Sequence, residues 1–357
     1  MKIVIALPAY YNTPIGGYHV QYHYANMLSR RGHDVTVVFP RYLTPGDPVK
    51  SRVRTPLWAM GLRLRNRPLI GSFPLDARVK VRLLRDLSGG ALPRADVLVA
   101  TAWQTAEALA EAPASCGRKV YTVYDYEHLM TASPEVRERI EATYRLPYAL
   151  IATSAVVADT IRRCGGEPVA TVPCGTDFDA FGIDVPQAER EPFTLGFAAR
   201  PEVFKGADDA LAAAVLLRAR YGDKLRVAAF GSRQMDLPDW IEWHQYPSQA
   251  DLRRFYNAQS VFMVPSHFEG WGLPGVEALA CGAALVTTDN GGCRDYALDG
   301  NTAIVVPPGE PEGLAEGVGR LLDDDGLRQR LAQSGHEFVQ HYTWSRAADG
   351  LEAVLRS

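Results

Sequence analysis

The sequence predicts an α/β protein made of two doubly wound parallel sheets. Three observations carry this. Short apolar runs rich in β-branched residues recur along the chain, as strands buried on both faces require. Segments with helical spacing separate them, so the order reads strand, helix, strand, with right-handed crossovers. The pattern halts once, in the polar, proline-bearing stretch DAFGIDVPQAEREPFT (179–194), and then restarts. At 357 residues the chain suits two domains of roughly 150 residues each.

The elements follow in order. KIVIALP (2–8) is the first strand, and YHVQYHYANMLSRRGH (18–33) is a helix stopped by Gly32. DVTVVFP (34–40), DVLVATA (96–102), KVYTVYD (119–125) and ALIATS (149–154) are further strands. SAVVADTIRRCGG (154–166) is a helix with a glycine stop, and PVATVPCG (168–175) ends the first half. The second half offers strands at 193–199, 225–231, 260–266, 283–289 and 302–309. Its helices are expected at 206–222, 248–259, 275–282 and over 311–342. In such sheets ligands bind beyond the carboxyl ends of the strands, and two facing sheets enclose a cleft.

Composition narrows the function. The 47 % hydrophobic and 22 % charged residues are ordinary for a globular domain. A net charge of −3 gives no reason to expect a nucleic-acid partner. Cys116, Cys164, Cys174, Cys281 and Cys293 show neither disulfide nor metal-ligand spacing, which fits a reducing cytoplasm. No apolar run approaches the ~18 residues of a membrane span, so any membrane contact is expected to be peripheral. Lys50 to Arg85 carries ten Lys and Arg against the single acid Asp76. It reads either as a patch for anionic lipid or an anionic acceptor, or as a surface helix whose stems pack on the first domain. Asp323–Asp325 reads as a solvated loop between helices.

Three stretches can carry chemistry. Gly16 and Gly17 open a helix after the first strand, where free amides and close backbone approach suit an anion. A plain turn is the other reading. The tight G-x-G-x-x-G of dinucleotide binding is missing, which argues against a nicotinamide enzyme. Arg200 and Lys205 follow a strand and precede a helix opened by Gly206, a placement that suits a diphosphate. SHFEGWGLPGVEALACG (266–282) places Glu269 and Glu277 on either side of a glycine-rich turn. Pro274 is expected at the first helical position and Glu277 in the first turn, so a dipole cap is the alternative for Glu277.

In this order the motifs identify a family. PIGGYHVQYHYANMLSRRGHDVTVV, SAVVADTI, TVPCGTDFDAF, ARPEVFKG, VPSHFEGWGLPGVEALACG and VTTDNGGCRDYALDGNTAIVVPPGEPEGLA cover nearly the whole chain. The chain resembles the retaining GT-B glycosyltransferases, in particular family four of the nucleotide-sugar-dependent enzymes (glycosyl transferases group 1). The resemblance implies an acceptor-binding domain over 1–182, a nucleotide-sugar-binding domain over 190–340 and a terminal helix over 341–357 that returns to the first domain. It implies that Arg200 and Lys205 hold the diphosphate and that Glu277 accepts from the ribose hydroxyls. Glu269 with the amides of Gly270 and Trp271 faces the transferred sugar. The resemblance implies that the amides from Gly272 through Leu273 to Gly275, either side of Pro274, support the phosphates, and that Gly16 and Gly17 close over them. Transfer retains the anomeric configuration by front-face displacement, without cofactor or metal. The donor is a nucleoside diphosphate sugar, most commonly of uridine, and the acceptor a glycan, a lipid-linked or a small-molecule hydroxyl.

One departure stands out. The family commonly places a His where this chain has Tyr124, followed by Asp125, Glu127 and His128. Asp125, Glu127 or His128 then becomes a candidate for touching the acceptor or the sugar, with a structural hydrogen bond as the alternative for His128. The D-x-E spacing also imitates the metal site of another glycosyltransferase architecture. Two other functions fit the same motifs: a non-catalytic nucleotide-sugar-binding protein, and a sugar-nucleotide epimerase. The sequence leaves sugar, base, acceptor and oligomeric state open. It places the protein in the cytoplasm, with peripheral contact at the inner membrane face as the consequence of the lipid reading of 50–85.

Overall fold

The computed structural model describes residues 1–10, 16–41, 70–71, 73–129, 131, 133–233 and 235–357. They form two units: Met1–Gly175 together with Trp344–Ser357, and Thr176–Thr343.

The first unit is built on seven parallel strands: β1 (Lys2–Ala6), β2 (Asp34–Pro40), β3 (Lys80–Leu84), β4 (Val97–Ala100), β5 (Arg118–Val123), β6 (Ala149–Ala152) and β7 (Pro168–Thr171). Their order is β3-β2-β1-β4-β5-β6-β7. The central strands are buried on both faces, which is why they read as continuous apolar runs rather than alternating ones. Helix α1 (Gly16–Arg30) is opened by the glycine pair. It stops before Gly32, whose φ of 88° suits only glycine comfortably. Helices α2 (Trp103–Ala110) and α3 (Pro134–Thr143) went unanticipated, although Ser133 and Pro134 make a clear helix start. In α4 (Ala155–Arg163) the Ser154 hydroxyl caps Val157 N–H.

Over Lys80–Leu84 the basic segment is strand β3 and not helix. Lys80–Leu84 is an edge strand with Lys80 and Arg82 exposed, a placement that discourages edge-to-edge pairing. Residues 50–69 of that segment lie outside the described residues.

The second unit has six parallel strands: β8 (Thr194–Ala198), β9 (Arg226–Gly231), β10 (Ile241–Gln245), β11 (Val261–Val264), β12 (Ala284–Thr288) and β13 (Ile304–Val306), in the order β10-β9-β8-β11-β12-β13. Strand β10 was not anticipated: Glu242 and His244 interrupt its apolar pattern. The helices are α5 (Ala207–Tyr221), α6 (Gln249–Ala258), α7 (Leu273–Ala280), α8 (Pro311–Asp323) and α9 (Asp325–Val339). Leu195, Phe197, Val227, Met263, Val286 and Leu314 lie in the core where helices cover the sheet. The acid triplet is no loose loop. Asp324 caps Leu327 N–H at 2.9 Å, and Asp323 pairs with Arg220.

The chain crosses between units at Gly175/Thr176 and again at Thr343/Trp344. The stretch expected as a polar linker is therefore docked on the second unit. Phe181 packs edge-on against Tyr256, and Asn257 accepts from the amides of Asp184 and Val185 at 2.7 and 3.0 Å. Helix α10 (Trp344–Arg356) completes the first unit. Trp344 stacks on His23 at 4.2 Å, and Arg31 and His33 bind Glu352 at 2.9 and 3.0 Å. No helix among the described residues is long and apolar enough to cross a membrane.

In both sheets the strand order reverses once, between β1 and β4 and between β8 and β11. Open α/β sheets present their ligand crevices at such points. The loops after β8 and β11 carry Arg200, Lys205 and Glu269, and Glu277 follows on α7.

Candidate functional site

The loop after β8 and the loop after β11 are fastened together by backbone and rings. Gly206 caps α5 in the left-handed conformation, φ 66°, and a Cβ there would lie 2.1 Å from Pro265 O. Only glycine lets the two loops come this close. His267 N–H donates to Phe204 O at 2.8 Å, the Phe204 and Phe268 rings stack at 4.7 Å, and His267 Nε2 pairs with Asp209 Oδ2 at 2.7 Å. The result places Lys205 Nζ 2.8 Å from Glu269 Oε2, with both side chains only 12–13 % exposed. Ser266 Oγ donates to the other oxygen, Oε1, at 2.8 Å. Burial pushes the Glu269 carboxyl up, but Lys205, Arg200 and Ser266 outweigh it, so it lies below the usual carboxylate range.

The third loop, after β12, closes from behind. Glu269 N–H donates to Asn290 O and Gly292 N–H to Glu269 O, at 2.9 and 3.0 Å. Tyr296 OH donates to Gly272 O at 2.9 Å, and a Cβ on Gly272 or Gly275 would strike that phenol. Trp271 is buried at 3 % exposure among Tyr296 and Tyr342, so its ring is a wedge and only its backbone can face a ligand. Among the described residues the amides of Gly270, Trp271 and Gly272 have no hydrogen-bond acceptor. Gly275 N–H turns into the helix, donating to Gly272 O at 3.1 Å, and Pro274 has none to offer. The amides open to an anion therefore run from Gly270 to Leu273 rather than from Gly272 to Gly275, two residues earlier than expected.

Glu277 is not a dipole cap. Helix α7 begins at Leu273 with Gly272 at its N-cap, so Pro274 is its second residue and Glu277 lies past the first turn. Its Oε2 accepts from Tyr256 OH at 2.9 Å. Burial raises its carboxyl to about 7, against the lowering pull of Tyr256 and Arg200. Arg200 is exposed, and its charge reaches both Glu269 and Glu277.

In the first unit, Gly16 and Gly17 form the first turn of α1 beyond the carboxyl end of β1, and Asp125 and His128 follow the carboxyl end of β5. Gly17 has open space where a Cβ would stand. The two acids of Asp125-Tyr126-Glu127 have separate partners. Asp125 Oδ1 accepts from Tyr126 N–H at 2.9 Å. Both oxygens of Glu127 accept from Trp103 N–H at the start of α2, and Oε2 also from Tyr121 OH at 2.7 Å. Glu127 therefore caps the start of α2. Burial raises its carboxyl to about 7. His128 Nδ1 is buried and has no hydrogen-bond partner among the described residues, and burial holds the ring below its ordinary pKa. The partners of the key groups, Ser266, Tyr256 and Tyr296, were missed. Ser266 and Tyr296 lie inside the quoted motifs, but Tyr256 gives no local signal.

Glu127 and Glu277, both raised to about 7 by burial, contribute a pH-dependent share of the stability. A folded carboxyl pKa above its unfolded value means that the folded state holds the proton longer. Stability from Glu127 and Glu277 is thus fully present below about pH 4.5 and is lost as pH rises through about 7. Urea midpoints should fall from pH 5 to pH 8, and Glu277→Gln should flatten the Glu277 part of that slope, on the order of 2 kcal/mol. An unchanged slope in the Gln variant would assign the effect elsewhere.

Two Rossmann-like parallel-sheet domains, each reversing strand order at a loop cluster, define the GT-B class of folds. Solved structures agree. Sucrose-phosphate synthase from Thermosynechococcus elongatus superimposes with a TM-score of 0.76 at 18 % identity, over 99 % of this chain and 98 % of that one. Anabaena HepE in complex with UDP and glucose gives 0.73 at 16 %, over 100 % and 99 %. The sequence profile of the glycosyl transferases group 1 matches residues 183–338, and that of glycosyltransferase family 4 matches residues 16–180. The chain belongs to the group 1, family 4 glycosyltransferases. A curated relative, D-inositol 3-phosphate glycosyltransferase of Xylanimonas cellulosilytica, is 31 % identical over 233 residues, which cover 56 % of this chain and 54 % of that protein. The chain spans about half the length of the curated relatives it matches, 53–54 % for the first three.

Proposed function

We propose that this chain transfers a sugar, with retention, from a nucleoside diphosphate sugar to a hydroxyl of a glycan, glycolipid or small-molecule acceptor. One observation carries the reading: a shielded Lys205–Glu269 pair at a strand-order reversal, beside open amides and the exposed Arg200. In this reading Lys205, Arg200 and the amides of Gly270 to Leu273 take up the charge that grows on the leaving diphosphate. The bond from the anomeric carbon to the diphosphate oxygen breaks, and the acceptor oxygen bonds to the same carbon on the same face. The acceptor proton passes to the departing phosphate, so no protein nucleophile is needed. Glu269 accepts from sugar hydroxyls and Glu277 from the ribose. These groups supply the positive field themselves, and the reading invokes no metal. Uridine is the base to test first, since HepE was solved with UDP.

The test follows nucleoside diphosphate release from UDP-, GDP-, dTDP- and ADP-sugars, with and without acceptor. Release that needs an acceptor supports transfer. Donor bound but left intact points to a binding protein, and donor altered without acceptor to an epimerase. Gly17→Ala separates ligand approach from fold. In a helix with open space the methyl should raise stability by about 0.4–1 kcal/mol. As the family resemblance assigns this turn to the donor phosphates, donor affinity should also fall at least about tenfold. Calorimetry showing unaltered donor affinity would remove Gly17 from the site.

A further inference from the structure

We propose that Arg190 is a positioning residue for the donor site, holding the Tyr256–Glu277 pair in register from the far end of α6 and α7. Its guanidinium is buried, at 6 % exposure, and faces oxygens that are all backbone carbonyls or a side-chain amide. Nε and Nη2 donate to Val185 O, at 3.0 and 2.9 Å. Nη1 donates to Tyr256 O and Gln259 O at the end of α6, at 3.2 and 2.8 Å. Nη2 also donates to Cys281 O at the end of α7. Two helix carboxyl termini, each carrying partial negative charge, thus converge on one planar cation. Burial lowers its pKa to about 10, which still leaves it charged at neutral pH.

The connection to the site is short. Tyr256, whose carbonyl Arg190 holds, donates its phenol to Glu277 Oε2. Cys281, whose carbonyl Arg190 also holds, donates its amide to Glu277 O at 3.0 Å. Both ends of the Tyr256–Glu277 contact are therefore anchored on the same guanidinium. Lys could replace the charge but not the planar fork that reaches both helices. Glu277 is faced by Tyr256 from α6, by Arg200 from the loop after β8, and by Cys281 on its own helix. None of these depends on an acidic partner for Arg190. The inference rests on the donor-site reading of Glu277.

The test compares wild type, Arg190→Lys and Arg190→Met. The first measurement is the titration of the Glu277 carboxyl by infrared difference against Glu277→Gln, which needs no ligand. The second is the kinetic split between KM for donor and kcat. The expected result is a shifted Glu277 titration, a donor KM raised about tenfold in the Lys variant and further in the Met variant, and kcat within about threefold. A folded Lys variant whose Glu277 titrates as in wild type overturns the inference. So does a Lys variant that does not fold, because Arg190 then serves the fold alone. Should wild type bind no nucleoside diphosphate, the donor-site reading fails separately, and the infrared titration still decides whether Arg190 sets Glu277.

Discussion

Lys205→Ala is expected to lower sugar transfer by about 10²–10³-fold, the usual loss when one fixed donor to a developing oxyanion is removed. It should also cost stability, because among the described residues Glu269 remains behind with Ser266 as its neutral donor. Breaking a fully buried pair costs about 3–5 kcal/mol, and slight exposure here argues for roughly 2–4. The two effects can be separated. Adding Glu269→Gln removes the stranded charge, so the double variant should recover most of the stability and none of the transfer. Lys205→Arg should keep the pair but not the rate, since a planar fork does not place its charge where an ammonium does. Wild-type transfer in Lys205→Ala would end the assignment of this residue. Additive stability losses in the double variant would show that the pair is not a unit.

Gly206→Ala should be the most damaging change in the second unit that alters only one methyl. A left-handed φ of 66° costs a non-glycine residue about 1–2 kcal/mol. The new Cβ would also stand 2.1 Å from Pro265 O and 2.8 Å from Pro265 C, and neither is a flexible tip that can swing aside. The loops after β8 and β11 must part, with a total cost of at least ~3 kcal/mol. Gly300→Ala is the control. It also has a positive φ, 72°, but nothing lies within 4 Å of the added methyl. Urea unfolding should therefore show a smaller loss for Gly300→Ala and a much larger one for Gly206→Ala. Donor affinity should fall only in the latter, because parting the loops separates Lys205 from Glu269. Equal losses in the two variants would mean that the loops are not fastened at this glycine.

The contrast between these two glycines marks how far sequence could reach. Burial on both faces writes the parallel strands directly into runs such as KIVIALP and VFMV, and glycine stops write the helix ends. The sites beyond strand ends follow from that order, so Arg200, Lys205 and Glu269 could be placed on the right loops and Glu277 on the helix that follows. What they touch could not. Glu277 owes its environment to Tyr256, twenty-one positions away on another helix, and the Tyr256 phenol has no local signature. Glu127 looked like half of a metal pair because spacing records distance along the chain, whereas its partner is the amide of Trp103. Strands β3 and β10 escaped because each carries charge or histidine on an edge strand, where only one side is paired. The polar stretch 179–194 looked like a linker because its anchors, Phe181 and Arg190, are single residues within a hydrophilic run.

Helix α10 gives the chain an order of completion. The second unit is one continuous segment, Thr176–Thr343, whereas the first needs Trp344–Ser357, which leaves the ribosome after all of it. During synthesis the second unit can close while the first still lacks the partner of His23, Arg31 and His33. The part begun first is finished last, so the nascent first unit waits with the α10 face of α1 uncovered. Chaperone dependence and co-translational aggregation should therefore track substitutions at Trp344 and Glu352 more closely than equally destabilising ones in the second unit.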